Sequence, residues 1–379
     1  MPSAELVGYS NLALYSAMAV FTVSMLIFAA YLAALGPVAA ERGSKRRSRE
    51  LVAAGAPSVG SASVGSASVR SASARSASVG SASVGSASVG SASVGSASAR
   101  TPTDAPPPAD AVPAEAVPAS DPPVGEPSAR ARKTGNIALS LAWLGTLLLI
   151  ASVVMRGLAV MRPPWGNMFE FATAGAAAAS LAYCLLARRR HWEWLGLFVI
   201  GPILLTLGLA MFAFYTEAAE LMPALKSVWL VIHVAVAILA VAVFTIGFSM
   251  GIVYLVKRRR EEHPPARRNF VETLPAAASL ERAAYGLNMV GFILWTFTLV
   301  AGAIWAQKAW SAYWTWDPKE VWTFVIWVVY AAYMHARATA GWEPRKATWI
   351  ALAGYVCVLL NFTVVNLLFT GLHSYSGLK

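Results

Sequence analysis

Charge is what this chain has least of. Only 13% of its 379 residues are Asp, Glu, Lys or Arg, against 57% that are hydrophobic, and that balance places it in the membrane class before any motif is consulted. Cysteine is nearly absent too. Cys184 and Cys357 both fall inside apolar runs with no metal-ligand spacing, so neither a disulfide framework nor a zinc site is expected. Histidine is the third scarcity, five in all. Finally, Met1 to Asn11 lacks any Lys or Arg, while Lys45-Arg46-Arg47 follows the first apolar run. That order is the reverse of a cleavable signal peptide, and the run reads as a retained anchor.

What is abundant is long apolar sequence. Eight runs of about 20 residues can cross a hydrocarbon core about 30 Å thick. They lie near Tyr9 to Leu35, Ile137 to Arg156, Asn167 to Ala187, Trp194 to Phe214, Val228 to Val256, Tyr285 to Trp305, Glu320 to Ala338 and Ala347 to Thr370. The expected fold is an all-α polytopic integral membrane protein with about eight transmembrane helices.

The formal net charge of +11 invites a nucleic-acid reading, but the positions of the basic residues argue against one. Arg42 to Arg49, Arg130 to Lys133, Arg188 to Arg190, Lys257 to Arg268, and Arg345 with Lys346 fall on alternate connections. The positive-inside rule assigns those connections to the cytoplasm and both termini to the outside. Arg156, Arg162, Lys226, Lys308 and Lys319 are scattered on the outer face. No nucleic-acid partner is expected; the partner implied is the bilayer of a cytoplasmic membrane.

Three domains are expected: an anchor over 1–40, a cytoplasmic linker over 41–133, and a seven-span body over 134–379. The linker repeats a Ser-Ala-Ser-Val-Gly pentapeptide and then turns Pro-, Ala- and acid-rich through Pro127. Neither half can bury enough apolar surface to offset its chain entropy, so disorder is expected.

In the body, Trp305 to Trp322 reads WAQKAWSAYWTWDPKEVW and holds five of the fourteen tryptophans. Single tryptophans at a membrane boundary are usually headgroup anchors. Five of them, Trp305, Trp310, Trp314, Trp316 and Trp322, interleaved with Asp317-Pro318, instead make an aromatic surface suited to a flat apolar ring. Asp317 also reads as the N-cap of the next helix, with Pro318 its first residue.

His191 and His263 sit among basic residues of inner loops and read as solvated surface. His233 lies about one turn inside the outer end of its span, and His373 follows the last span on the same face. Singly, each can be explained as a polar group bonded to a neighbouring carbonyl or exposed in a tail. Together with the tryptophans they point to haem iron, which two neutral imidazoles can ligate on opposite faces. His335 lies fifteen residues after Glu320, roughly 22 Å along a helix, toward the inner side. It marks an inner station or a side chain snorkelling beside Arg337, and an inner bis-imidazole site needs a ligand from another chain. The stretch Trp165-Gly166-Asn167-Met168-Phe169-Glu170-Phe171 opens another span on the outer face. Glu170 there faces protein or ligand, or serves the positive end of its helix.

These residues resemble a known family, the CcsA or ResC cytochrome c assembly proteins, whose actinobacterial members are often labelled CcsB. The resemblance covers about Leu158 to Gly377 and rests on WGNMFEF, on the tryptophan-rich WWD segment ending WTWDPKEVW, and on the flanking histidines. It implies a System II haem protein that works with a ResB-type partner as a cytochrome c synthase. By resemblance, His233 and His373 are the two external histidines that ligate haem b beside the WWD segment, and His335 is the intramembrane histidine. The tryptophans Trp305, Trp310, Trp314, Trp316 and Trp165, with Asp317 and Glu170, then belong to the haem-binding surface. The implied partners are the ResB-type protein, an apocytochrome c and a thiol-reducing thioredoxin-like protein. The long Ser-Ala-Val-Gly linker and the short tail depart from the family pattern without touching the motif positions. A haem exporter or chaperone without thioether chemistry is the alternative, since no reactive cysteine is present on either reading.

Overall fold

The computed structural model describes residues 4–54, 128–217, 227–264 and 269–373, with the side chains of 36–54 excepted. Contacts divide the chain into two units, residues 1–49 with 121–379, and residues 50–120. The architecture below is that of the first. The expected linker disorder falls largely on residues outside the described ones.

Every regular element among the described residues is helical. In chain order they are α1 (Ala4–Ala54), α2 (Ala129–Ala159), α3 (Met168–Arg190), α4 (Gly196–Ala213), α5 (Val228–Glu262), α6 (Ala277–Trp310), α7 (Pro318–Ala338), α8 (Pro344–Phe362) and the short α9 (Val364–Leu368). Short 3-10 turns at Glu193–Leu195 and Phe270–Thr273 precede α4 and α6. Helix α1 continues to Ala54, past the boundary at residue 40 drawn from composition, and α2 begins at Ala129, ahead of the boundary at residue 133.

Among the described residues, seven helices are long and apolar enough to cross a membrane. Helix α7, expected as an eighth span, is not among them. Its 21 residues carry Tyr330, Tyr333, His335 and Arg337, which dilute the apolar run. It nevertheless runs the length of the bundle. Asp317 at its start bonds His373, and Arg337 in its last turn pairs with Glu281 near the start of α6, 2.7 Å away.

Local chemistry sets the ends. Asn167 caps α3 by accepting the Glu170 N–H, and Ser227 caps α5 by accepting the Trp229 N–H. Helix α7 starts as the sequence predicts, with Asp317 as N-cap and Pro318 first. Glu320 completes a capping box by accepting the Asp317 N–H, and it also takes the Thr315 N–H at 2.7 Å.

Helices approach closely where a side chain meets a glycine. Phe21 of α1 lies where a Cβ on Gly145 of α2 would stand 2.8 Å from its ring; such small-residue contacts are a common means of helix association in lipid. Further contacts link α3 to α8. Phe171 stacks on Phe362 at 5.6 Å between ring centres. The starts of α3 and α7 and the end of α8 therefore share one end of the bundle. The basic runs in the last turns of α3 and α5 mark the other.

Candidate functional site

At the first of these ends, the elements bring His233, Trp305, Trp310, Asp317 and His373 together. Helix α5 carries His233 in its second turn. The ring packs on α6 where Gly302 leaves room: a Cβ there would stand 2.8 Å from Cε1 and 2.9 Å from Nδ1. Nδ1 lies 2.9 Å from the Thr298 carbonyl oxygen. A carbonyl can only accept, so Nδ1 carries the proton and Nε2 is left with its lone pair.

His373 is held from the other side. Its Nδ1 lies 2.9 Å from Asp317 Oδ1. Asp317 also receives the Lys319 N–H at 2.9 Å on Oδ1 and the Leu372 N–H at 2.6 Å on Oδ2, and Gly371 lets the tail pass close to that carboxylate. Burial works to raise the Asp317 pKa, but the His373 bond and the two backbone N–H groups outweigh it and hold the carboxyl below its usual range. The anionic Asp317 therefore fixes Nδ1–H on His373 and leaves its Nε2 as the basic nitrogen, the arrangement by which outer carboxylates orient metal-binding imidazoles.

Trp305 packs against both rings. Its centre is 6.2 Å from His233, nearly parallel, and 5.6 Å from His373, edge-on. Trp310 packs edge-on at 4.7 Å from Trp305 and 4.9 Å from His373. Trp305 is 2% exposed, and its indole N–H finds no acceptor among the described residues. No group of three or more His, Cys, Asp or Glu able to hold an ion occurs among those residues.

The other expected site residues lie apart from this cluster. Trp314 packs edge-on against Trp316 at 5.9 Å and Phe324 at 6.4 Å. Trp316 is 77% exposed, with a left-handed φ of 61° that favours glycine. Glu170, 0% exposed, is engaged by Arg156 at 3.1 Å, by Arg162 at 2.7 Å and by the Gly166 N–H at 2.8 Å. Its helix-start position and an acid facing protein are both realised, and a countercharge for two guanidiniums is its main employment. Arg156 also reaches the Thr216 carbonyl and lies over the Phe169 ring at 4.6 Å. Trp165, before the α3 cap, bonds the Pro163 carbonyl through its backbone at 3.0 Å. His335 is exposed in the last turn of α7, at the opposite end from His233.

Sequence reasoning missed Thr298 and Gly302. A backbone carbonyl leaves no signature in a sequence. The glycine three residues before Trp305 in an apolar span was a usable signal of close approach.

A family model described as cytochrome C assembly protein matches residues 165–373, from Trp165 through His373. The cytochrome c biogenesis protein CcsA of Guillardia theta is 38% identical over 239 residues, covering 57% of this chain and 77% of the relative. The protein of that name from Prochlorococcus marinus (strain MIT 9313) is 32% identical over 259 residues, 61% of this chain and 81% of the relative. The one from Parasynechococcus marenigrum (strain WH8102) is 33% identical over 276 residues, 65% and 88%. The match encloses the whole constellation built from His233, Trp305, Asp317 and His373, and the chain belongs to the cytochrome c assembly protein family, of the CcsA type, with its role in cytochrome c biogenesis.

Proposed function

We propose that His233 and His373 ligate the iron of haem b and hold it for attachment to an apocytochrome c. One observation carries this reading: two imidazoles pack against the same indole, and each has its Nδ1 engaged by an oxygen, so that both leave Nε2 as the basic nitrogen, without a partner among the described residues. The residues suit haem on three counts. Two imidazoles are a complete axial set, the macrocycle brings the other four ligands, and the buried Trp305 and half-buried Trp310 offer aromatic surface, with the Trp305 N–H lacking an acceptor among the described residues.

Haem is the cargo here, and it supplies the iron and the two vinyl groups to which the thiols of a Cys-X-X-Cys-His motif add. The chain's own residues bind, orient and exclude water. Thr298 and Asp317 fix the imidazole rings, and Trp305 keeps the surface dry beside them. The basic residues at the opposite end of the bundle support a site at the outer face of the cytoplasmic membrane, by the positive-inside rule. At the inner end, exposed His335 awaits a ligand from a ResB-type membrane partner, and a thioredoxin-like protein keeps the apocytochrome thiols reduced.

Absorption spectra of the purified complex test this, with wild type beside His233→Ala, His373→Ala and His335→Ala. Loss of the Soret band, or a shift to a five-coordinate form, is expected for each outer variant. Spectra unchanged by both would overturn the reading. Co-expression with a ResB-type partner and a reporter apocytochrome then separates synthase from exporter: haem-loaded protein without covalent cytochrome favours export.

A further inference from the structure

A cleft opens beside His373, its walls drawn from the start of α7, from α9 and from the segment leading to His373. Lys319, Asp317, Asn366, Phe369 and His373 line it, and its empty space is about 200 Å³ counting open solvent. The enclosed part is about 10 Å³, the room of a single water-sized group at the mouth of the cleft. Lys319 is the half-buried cation in its wall. Its Nζ donates to the Asn361 carbonyl oxygen at 2.7 Å, which leaves two of its three N–H donors for other acceptors.

Asp317 acts on it through space, but no carboxylate among the described residues forms an ion pair with it. Asp317, two residues away, is spent on the Lys319 and Leu372 N–H groups and on His373. Glu320 is turned to Thr315 and the Asp317 N–H. The cation also stands in the first turn of α7, where the helix macrodipole opposes it, although the last turn of α8 favours it through Asn361. A half-buried ammonium whose partner is a neutral carbonyl leaves part of its desolvation cost uncompensated, and an arriving anion would offset that.

The position defines the anion. Asp317 Oδ1 accepts from both the Lys319 backbone N–H and the His373 ring, so Lys319 is built onto the same carboxylate that orients an iron-ligating imidazole. We propose that Lys319 is the carboxylate-recognising group of this site and takes a propionate of the bound porphyrin, which orients the ring in its plane. The proposal rests on haem being held between His233 and His373. Its consequence is geometric: axial ligands leave a porphyrin free to rotate about the iron, whereas one propionate anchored at the ring edge fixes where the vinyl groups point.

The test titrates the full chain in detergent with haem b and with its dimethyl ester, in which both propionates are blocked, following the Soret band. Wild type should bind the free acid about tenfold or more tightly than the ester, as expected for a charge-assisted bond. Lys319→Met should bind both with the weaker affinity and lose the distinction, and Lys319→Arg should keep it. If Lys319→Met weakens both ligands equally, or wild type does not distinguish them, the proposal falls and Lys319 only caps α8. If the wild-type spectra do not depend on His233 and His373, it is the haem-ligation reading that fails. Helix content by circular dichroism and a six-coordinate spectrum in Lys319→Met confirm that the fold and the iron site survive the substitution.

Discussion

Gly302 shows how much a single position can decide. A Cβ there would press on the His233 ring, yet alanine is favoured over glycine in a helix by roughly 0.5–1 kcal/mol. Gly302→Ala should therefore keep or raise helix content while lowering haem retention nearly as much as His233→Ala; circular dichroism beside Soret absorbance checks both halves. Glu170 behaves in the opposite way. It neutralises two guanidiniums, one of them only 2% exposed, and removing one partner of a buried charge set costs about 3–5 kcal/mol. Glu170→Ala should lower the unfolding temperature sharply and leave the iron spectrum of the surviving folded protein unchanged. For Asp317 the sign runs through pH. Its folded carboxyl titrates below its ordinary value of 3.8, so the stability it contributes is complete above that value and declines as pH falls through the lower folded one. A wild-type loss of stability below pH 3.8 that is blunted in Asp317→Asn is the expected result.

At the scale of elements, local signals were legible and partners were not. The Asp-Pro pair and the glutamate three residues on declare the start of α7 in the sequence, and the structure builds that capping box. The same Asp317 takes His373 from a tail fifty-six residues away, which no local pattern announces. Glu170 was ambiguous for a related reason. Its position near a helix start was visible, but Arg156 sits at the end of a different helix and Arg162 in the turn between them. The tryptophan segment was legible as a cluster and not as a division of labour. Trp305 and Trp310 belong to α6 and turn inward on the histidines, while Trp314 and Trp316 follow in the loop and pack toward Phe324. Alanine at Trp310 should accordingly reduce haem retention more than alanine at Trp314. The left-handed Trp316 is held by a loop latched to Glu320, and Trp316→Gly should raise the unfolding temperature modestly, since strain of this kind costs about 1–3 kcal/mol.

Across the whole molecule, composition alone revealed the class. Long apolar runs and one-sided basic loops need no tertiary knowledge to interpret, which is why the spans were readable to within several residues. Helix α7 was the hard case, because its interior tyrosines are accommodated by neighbouring helices rather than by lipid: Tyr330 and Tyr333 are buried, and hydropathy cannot see that. All site residues lie between 165 and 373. Excising the Ser-Ala-Ser-Val-Gly repeats, while keeping α1, should leave the haem spectrum and the dependence on His233 unchanged.

The order of the site along the chain has a consequence for biosynthesis. His233 is made first, then Thr298, Gly302 and the two packing tryptophans, then the Asp317 cap, and His373 last, after α8 and α9 are in place. A nascent chain halted before its final helices would present one imidazole and a bare aromatic wall. Under the proposed reading, cargo held by both histidines requires that the ribosome has passed residue 373 and that α5 to α9 are in place, so loading doubles as an inspection of the bundle around the site.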